Sequence, residues 1–108
     1  MIKRYVGLLL VAGLLSLSAH AAEEVWIDVR TSLEHKMDRI DGDVRISHSD
    51  IVEEVTVLYP AKDTPIRLYC RSGGRSGSAT EALQAAGYTD VKNAGGIDDA
   101  RQQRGLSE

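Results

Sequence analysis

Residues 66–88 read IRLYCRSGGRSGSATEALQAAGY. A short apolar run stops at a cysteine, turns through a glycine pair and continues in a helical pattern. No other stretch of the chain limits the fold so strongly. Ile66-Arg67-Leu68-Tyr69 has the length and residue types of a strand. Ala79, Ala82, Leu83 and Ala86 fall at i, i+3, i+4 and i+7, which predicts a helix over 76–86. Gly87 stands where a left-handed helix cap is wanted, and Tyr88 is placed for the apolar contact that goes with it.

The same alternation runs along the rest of the chain. Val25-Trp26-Ile27-Asp28-Val29 reads as a strand covered on both faces. Thr31 or Ser32 can cap one or two helical turns reaching Met37. Val44-Arg45-Ile46 is a short strand after the turn residues Asp41-Gly42. Ser47 or Ser49 can cap a helix carrying Ile51, Val52 and Val55. Residues 60–65 form a polar connection. Asp90-Val91-Lys92 is a last short strand, Gly95-Gly96 a turn, and a polar tail follows. Strands alternating with helices predict an α/β domain whose central sheet is mainly parallel and flanked by helices.

The first 22 residues, MIKRYVGLLLVAGLLSLSAHAA, have a different character. Lys3 and Arg4 precede an almost wholly apolar run from Val6 to Leu17, and Ala19-His20-Ala21 offers small residues at the spacing a signal peptidase reads. The apolar run is shorter than the ~20 residues of a membrane span. The expectation is a cleaved signal peptide over 1–21, a periplasmic location, and a single domain over 22–108 with no membrane attachment after cleavage. Cleavage removes two of the 13 basic residues and none of the 16 acidic ones, so the net charge moves from −3 to −5. An acidic domain of this size is a poor match for nucleic acid or anionic lipid, which call for a basic face.

Export makes the single cysteine informative. Small exported domains commonly offset a thin core with disulfides, and this chain cannot form one internally. A lone cysteine then points to a reactive thiol or an intermolecular pair. Cys70 stands at the expected carboxyl end of a strand, where open α/β sheets bind ligands. Gly73 and Gly74 can adopt backbone angles that curl successive amides into an anion-binding nest. The helix that follows points its free N–H groups at the same spot, and Arg71 and Arg75 add two cations suited to oxyanions. An ordinary thiol is only about 3% ionised at pH 7; this setting favours a thiolate. Cys70 is therefore the candidate nucleophile, with Arg71, Ser72, Gly73, Gly74, Arg75 and Ser76 as its substrate-binding loop.

These segments carry a family resemblance. CRSGGRS (70–76) resembles the active-site loop of the rhodanese family, Cys-Arg-x-Gly-x-Arg-Ser. WIDVRTSLEH (26–35) is similar to its Asp-Val-Arg segment with the following Glu, RIDGDVRI (39–46) to its His-Ile-x-Gly-Ala-x-x-Ile segment, and NAGGI (93–97) to its Gly-Gly turn. With the leader, the chain is most similar to the small periplasmic, phage-shock-type single-domain members. The resemblance implies a thiosulfate sulfurtransferase. Cys70 would take the outer sulfur of thiosulfate as a persulfide and pass it to a thiol, or to cyanide in an assay. Arg71 would hold the donor's sulfonate, while Arg75 and the amides of 71–76 would stabilise the charged sulfur. No metal or cofactor is implied, and a monomer is expected.

Other readings of the loop are a phosphatase or arsenate-reductase type of oxyanion enzyme, a binding module without catalysis, and a persulfide carrier serving a partner protein. The phosphatase loop calls for arginine six positions after its cysteine, where Ser76 stands. The carrier would share every loop residue with the enzyme. Departures from the family pattern are Arg39 for its histidine, Asp43 for its alanine, and Ile97-Asp98-Asp99-Ala100 where an aromatic follows the Gly-Gly turn; the last leaves a C-terminal helix in question. Asp28 and Arg30 are expected to form a structural pair, and His35 and His48 to lie on the surface. Protein recovered from the periplasm should begin at Ala22, with Ala21 or Glu23 as near alternatives. N-terminal sequencing checks this, and an intact Met1 in the membrane fraction would contradict it.

Overall fold

The computed structural model describes residues 23–107; the expected leader, 1–21, lies outside the described residues. Four parallel strands form one sheet. They are β1 (Val25–Asp28), β2 (Val44–Arg45), β3 (Ile66–Cys70) and β4 (Val91–Gly96), in the spatial order β2-β1-β3-β4. Five helical segments connect or follow them: α1 (Ser32–Met37), a 3₁₀ turn (His48–Asp50), α2 (Ile51–Leu58), α3 (Gly74–Ala85) and α4 (Ile97–Gln103). The predicted α/β class and parallel sheet are therefore observed. Among the described residues, no helix is long and apolar enough to cross a membrane.

β3 explains the layering. Its residues alternate across the sheet, as strand geometry requires. Ile66, Leu68 and Cys70 join Ile51 and Val55 of α2 and Ala79 and Leu83 of α3 in one core. Tyr69 points the other way, into a second cluster with Ile97 and Ala100 of α4. Trp26 packs against this second cluster. Helices cover both faces, so β3 is buried along almost its whole length.

Thr31 caps α1 in a reciprocal box with Glu34, as expected. The expected Ser47 or Ser49 cap of the helix carrying Ile51, Val52 and Val55 is corrected: Ser47 caps only the 3₁₀ turn, and α2 has Asp50 at its cap position with no side-chain cap bond. At the end of α3 the Gly87 N–H donates to Gln84 O at 3.0 Å and the Tyr88 N–H to Leu83 O at 3.0 Å. Tyr88 is buried as expected, and its hydroxyl donates to Tyr59 O at 2.7 Å.

Three further expectations are corrected. The helix after Cys70 begins at Gly74, two residues earlier than its apolar spacing implied. Gly95 and Gly96 are not a free turn but the end of β4, where a register irregularity sets Leu68 opposite Asn93 and Tyr69 opposite Gly95. The expected polar tail is helix α4. Its N–H at Gly96 is capped by Asp99 Oδ2 at 2.8 Å, and Ile97 and Ala100 are buried.

Two arginines that read as polar tail are what hold α4 down. Arg101, 5% exposed, pairs with Asp38 at 2.6 Å and Asp98 at 3.1 Å. Arg104 makes a forked pair with Asp43 at 2.7 and 3.0 Å and lies over the Trp26 ring at 4.4 Å. Asp43 also accepts the Tyr69 hydroxyl at 2.8 Å. Burial, with this bond second, pushes the Tyr69 phenol well above its ordinary range. Asp43 is thus the buried anchor of α4, which accounts for a carboxylate at a position where alanine was expected. Arg39 has a lesser role, an exposed pair with Asp41 at 3.1 Å.

The first strand ends in a fully buried charge. Asp28 accepts the Arg30 amide at 3.0 Å, Arg30 Nε at 2.9 Å and Arg30 Nη2 at 2.8 Å. The expected structural pair is present. His35 corrects the surface assignment: its ring is largely buried and its Nδ1 lies 2.9 Å from Asp28 Oδ2. His48 is exposed, as expected. Burial pushes the Asp28 carboxyl up, but bonds from Arg30 and His35 outweigh it and the net shift is downward. Asp28→Asn should lower unfolding free energy in urea by about 3–5 kcal/mol, the cost of leaving a buried partner charge uncompensated. A depressed carboxyl stabilises the fold above its unfolded pKa of about 3.9, and that contribution is lost as pH falls through the folded value. The variant should therefore lose less stability than the parent on acidification below about pH 4.

Candidate active site

Cys70 is the last residue of β3 and is 1% exposed. The chain beyond it folds back over the sulfur. The Gly73 N–H donates to Cys70 Sγ at 3.0 Å, and the Ser76 hydroxyl lies 3.4 Å from the same atom. Gly73 makes this possible: it caps α3 with φ of 106°, a conformation that costs other residues about 1–2 kcal/mol. Of the loop amides, that of Gly73 is hydrogen-bonded to the sulfur. Burial raises the Cys70 pKa, but hydrogen bonds from the Ser76 side chain and from the Ser76, Ser72 and Gly73 amides outweigh it. The net result is a thiol lowered to about 7.

The end of β4 closes the loop from behind. A side chain at Gly96 would collide with the Arg71 carbonyl, so only glycine fits against the loop backbone there. Gly73 lies against the Gly95 backbone, and a side chain at Gly95 would run into the Asp99 carboxylate. Asn93 fastens the two segments: its Nδ2 donates to Gly73 O at 3.0 Å, and its Oδ1 accepts the Gly95 N–H at 2.9 Å and lies 2.6 Å from the Ser76 hydroxyl. The β4 irregularity places these groups in register, as bulges beside functional sites commonly do.

The two loop arginines have different fates. Arg71 is exposed and lines a cleft of about 430 Å³ with Arg30, Glu34, Met37, Asp38, Ile97 and Asp98. Arg75 does not extend into open solvent. Its Nη1 and Nη2 grip Glu34 Oε1 and Oε2 at 2.7 and 2.9 Å. This fork holds the Glu34 carboxyl far below the usual carboxylate range, and the Thr31 amide and hydroxyl add to the effect. The Glu34 bond likewise raises Arg75 and outweighs its burial. Arg75 thus ties the active-site loop to α1, a contact beyond the one expected of it with the sulfur. Ser72 and Gly74 are exposed, at the mouth.

Sequence reasoning brought together 70–76 and left out Asn93 as a participant. Asn93 carries no local signal, because its partners lie 17 and 20 residues away in the chain. Glu34 was legible in part: Thr31-x-x-Glu34 is a capping-box spacing.

The family description Rhodanese-like domain matches residues 12–102. The thiosulfate sulfurtransferase PspE of Escherichia coli K12 is 39% identical over 93 residues, 86% of this chain and 88% of that protein. A solved rhodanese with anions from E. coli superposes with a TM-score of 0.68 at 36% identity, over 71% of this chain and 91% of its own. A human single-domain sulfurtransferase, 24% identical with a TM-score of 0.61 over 85% of this chain and 92% of its own, has the same fold.

A thiol lowered to about 7 should react with iodoacetamide at a rate that is half-maximal near that pH. The rate falls below it as the thiolate is protonated. Ser76→Ala removes the leading stabilising bond and should move the midpoint toward the free-thiol value of about 8.5. A midpoint equal in both proteins would show that Ser76 does not stabilise the thiolate.

Proposed function

The chain belongs to the rhodanese-like family, and on that premise we propose that it is a thiosulfate sulfurtransferase in which Cys70 carries the transferred sulfur as a persulfide. The observation that carries the reading is a buried thiol, lowered to about 7, under a loop whose Gly73 amide and Ser76 hydroxyl face its sulfur. Cys70 is the only cysteine in the chain. Without a second thiol the sulfur must wait on Cys70 itself.

The reaction has two displacements. The Cys70 thiolate attacks the outer sulfur of thiosulfate. The S–S bond of the donor breaks, its electron pair leaves with sulfite, and Cys70 holds a persulfide anion. An acceptor then attacks the outer sulfur of that persulfide. Cyanide leaves as thiocyanate, or a thiolate leaves as a persulfide, and the Cys70 thiolate returns. The charge on the outer sulfur stays inside the loop through both steps, so amides fixed in advance favour each transition state. Arg71 meets the sulfonate of the donor at the mouth. Presence of anions in the solved E. coli relative supports an anion site on this fold. The site belongs to one domain over 22–108 acting as a monomer, exported to the periplasm after removal of 1–21.

Incubation with thiosulfate should add one sulfur atom to the intact mass, and cyanide should remove it as thiocyanate. Cys70→Ser should do neither. Arg71→Ala should raise the thiosulfate KM roughly ten- to hundredfold, the range for a lost hydrogen bond to a charged group, with a smaller change in kcat. An unchanged mass after thiosulfate would remove the persulfide reading.

A further inference from the structure

Ser76 has no solvent exposure, and its hydroxyl has a single proton to donate. Within reach of its Oγ lie Asn93 Oδ1 at 2.6 Å, Gly73 O at 3.2 Å, Gly95 O at 3.3 Å and Cys70 Sγ at 3.4 Å. The Gly73 carbonyl already receives the Gly77 N–H at 2.9 Å and Asn93 Nδ2 at 3.0 Å, which occupy its two lone pairs. The Gly95 carbonyl lies farther out than Asn93. The contest for the proton is therefore between the nearest acceptor, Asn93 Oδ1, and the one acceptor that changes charge, the Cys70 sulfur. The other partners of Asn93 fix which way its amide points. Its Nδ2 faces a carbonyl and its Oδ1 faces the Gly95 N–H at 2.9 Å. Turning the amide over would set donor against donor and acceptor against acceptor. Oδ1 is thus an acceptor held permanently beside Ser76.

We propose that Asn93 is a positioning residue for Cys70: its Oδ1 holds the Ser76 proton while the Cys70 sulfur is uncharged and yields it when the sulfur is a thiolate. A hydrogen bond to an ionised acceptor is about twice as strong as one between neutral groups, so charge on Sγ draws the hydroxyl round. Asn93 Oδ1 keeps the Gly95 N–H when this happens and is not left unsatisfied. Only the hydroxyl rotates, about its Cβ–Oγ bond. The proton stays covalently on Ser76 throughout. For the persulfide stage the inference rests on the sulfurtransferase reading. There the inner sulfur is divalent and neutral, and the Ser76 proton lies on Asn93. When the acceptor takes the outer sulfur, the electron pair of the S–S bond returns to Cys70 Sγ and the hydroxyl turns back to meet the charge. Asn93 thereby sets how far Ser76 favours the thiolate, because the sulfur must win the proton from a fixed competitor.

Alkylation by iodoacetamide across pH tests this without sulfur transfer. Asn93→Ala removes the competitor, so the Cys70 midpoint should fall by about half a pH unit, on the order of one net hydrogen bond between neutral groups. A residue that merely braced the loop would give the opposite sign, because a loosened loop moves the midpoint up toward that of a free thiol. In a Ser76→Ala background the same substitution should leave the midpoint where Ser76→Ala alone puts it, since the effect runs through the Ser76 proton. Asn93→Asp keeps the size and an acceptor for the Gly95 N–H but binds the Ser76 proton more strongly. Its midpoint should rise, and rise less when Ser76 is alanine. The charged and titratable groups on the elements around the sulfur are Arg71 and Arg75 of the loop, Asp28 with its partners Arg30 and His35, Glu34 of α1 and Asp99 of α4. Among the described residues, none of these hydrogen-bonds to the Ser76 or Asn93 side chain, and all stay in place in every variant. An Asn93→Ala midpoint that rises or does not move would overturn the proposal. So would an Asn93→Asp shift of equal size in both Ser76 backgrounds, a comparison that decides the matter on its own where Asn93→Ala fails to fold. If the midpoints move as expected and thiosulfate leaves the mass unaltered, proton sharing stands and the sulfurtransferase reading alone falls.

Discussion

A carboxylate with no solvent exposure sits at the end of the first strand, and the geometry of the site descends from it. Asp28 cannot remain charged there without partners, since an isolated buried carboxylate would be neutralised or expelled. It recruits Arg30 from the next loop and His35 from α1. Arg30 in turn reaches the Asp38 carbonyl beyond α1. One charge thus holds a six-residue helix none of whose residues is fully buried. A helix this short has little stability of its own. Once α1 is fixed, Glu34 is fixed, and through it Arg75 and the start of α3.

The opposite side of the loop is set by close backbone approach rather than by charge. β3 and β4 pair in parallel, and the irregularity after Leu68 brings Gly95 and Gly96 against Gly73 and Arg71. Asn93 then packs its Oδ1 against the Ser76 hydroxyl and donates to the Gly73 carbonyl from outside. The two constraints meet at Cys70. Its sulfur is buried, which disfavours a charge, and is faced by hydrogen-bond donors, which favour one. The second effect is larger, and a thiolate near neutral pH is the result.

α4 shows how a helix that looks polar can still be part of the core. Only Ile97, Ala100 and Arg101 are buried in it. Arg104 covers Trp26 with its guanidinium plane and grips Asp43, which also receives the Tyr69 hydroxyl. The apolar face is narrow, and the forked arginine pairs supply the rest of the attachment. A sequence pattern weighted toward apolar spacing reads such a segment as a tail.

The sequence alone determined what depends on neighbours along the chain. Short β-branched runs, the Thr31 cap, the Gly87-Tyr88 helix end and the run from Cys70 to Ser76 are local features, and each was legible because its physics acts within about one helical turn. The parallel α/β class followed from their order. Tertiary structure decided everything that required two distant segments to meet. It set Asn93 on Ser76, Arg75 on Glu34, Arg104 on Asp43 and Gly96 on the Arg71 backbone. Separations of 17 to 61 residues lie between the hydrogen-bonded partners. Side-chain type fixes what each of these residues is able to bind; only packing of the sheet and its helices fixes which partner comes within reach.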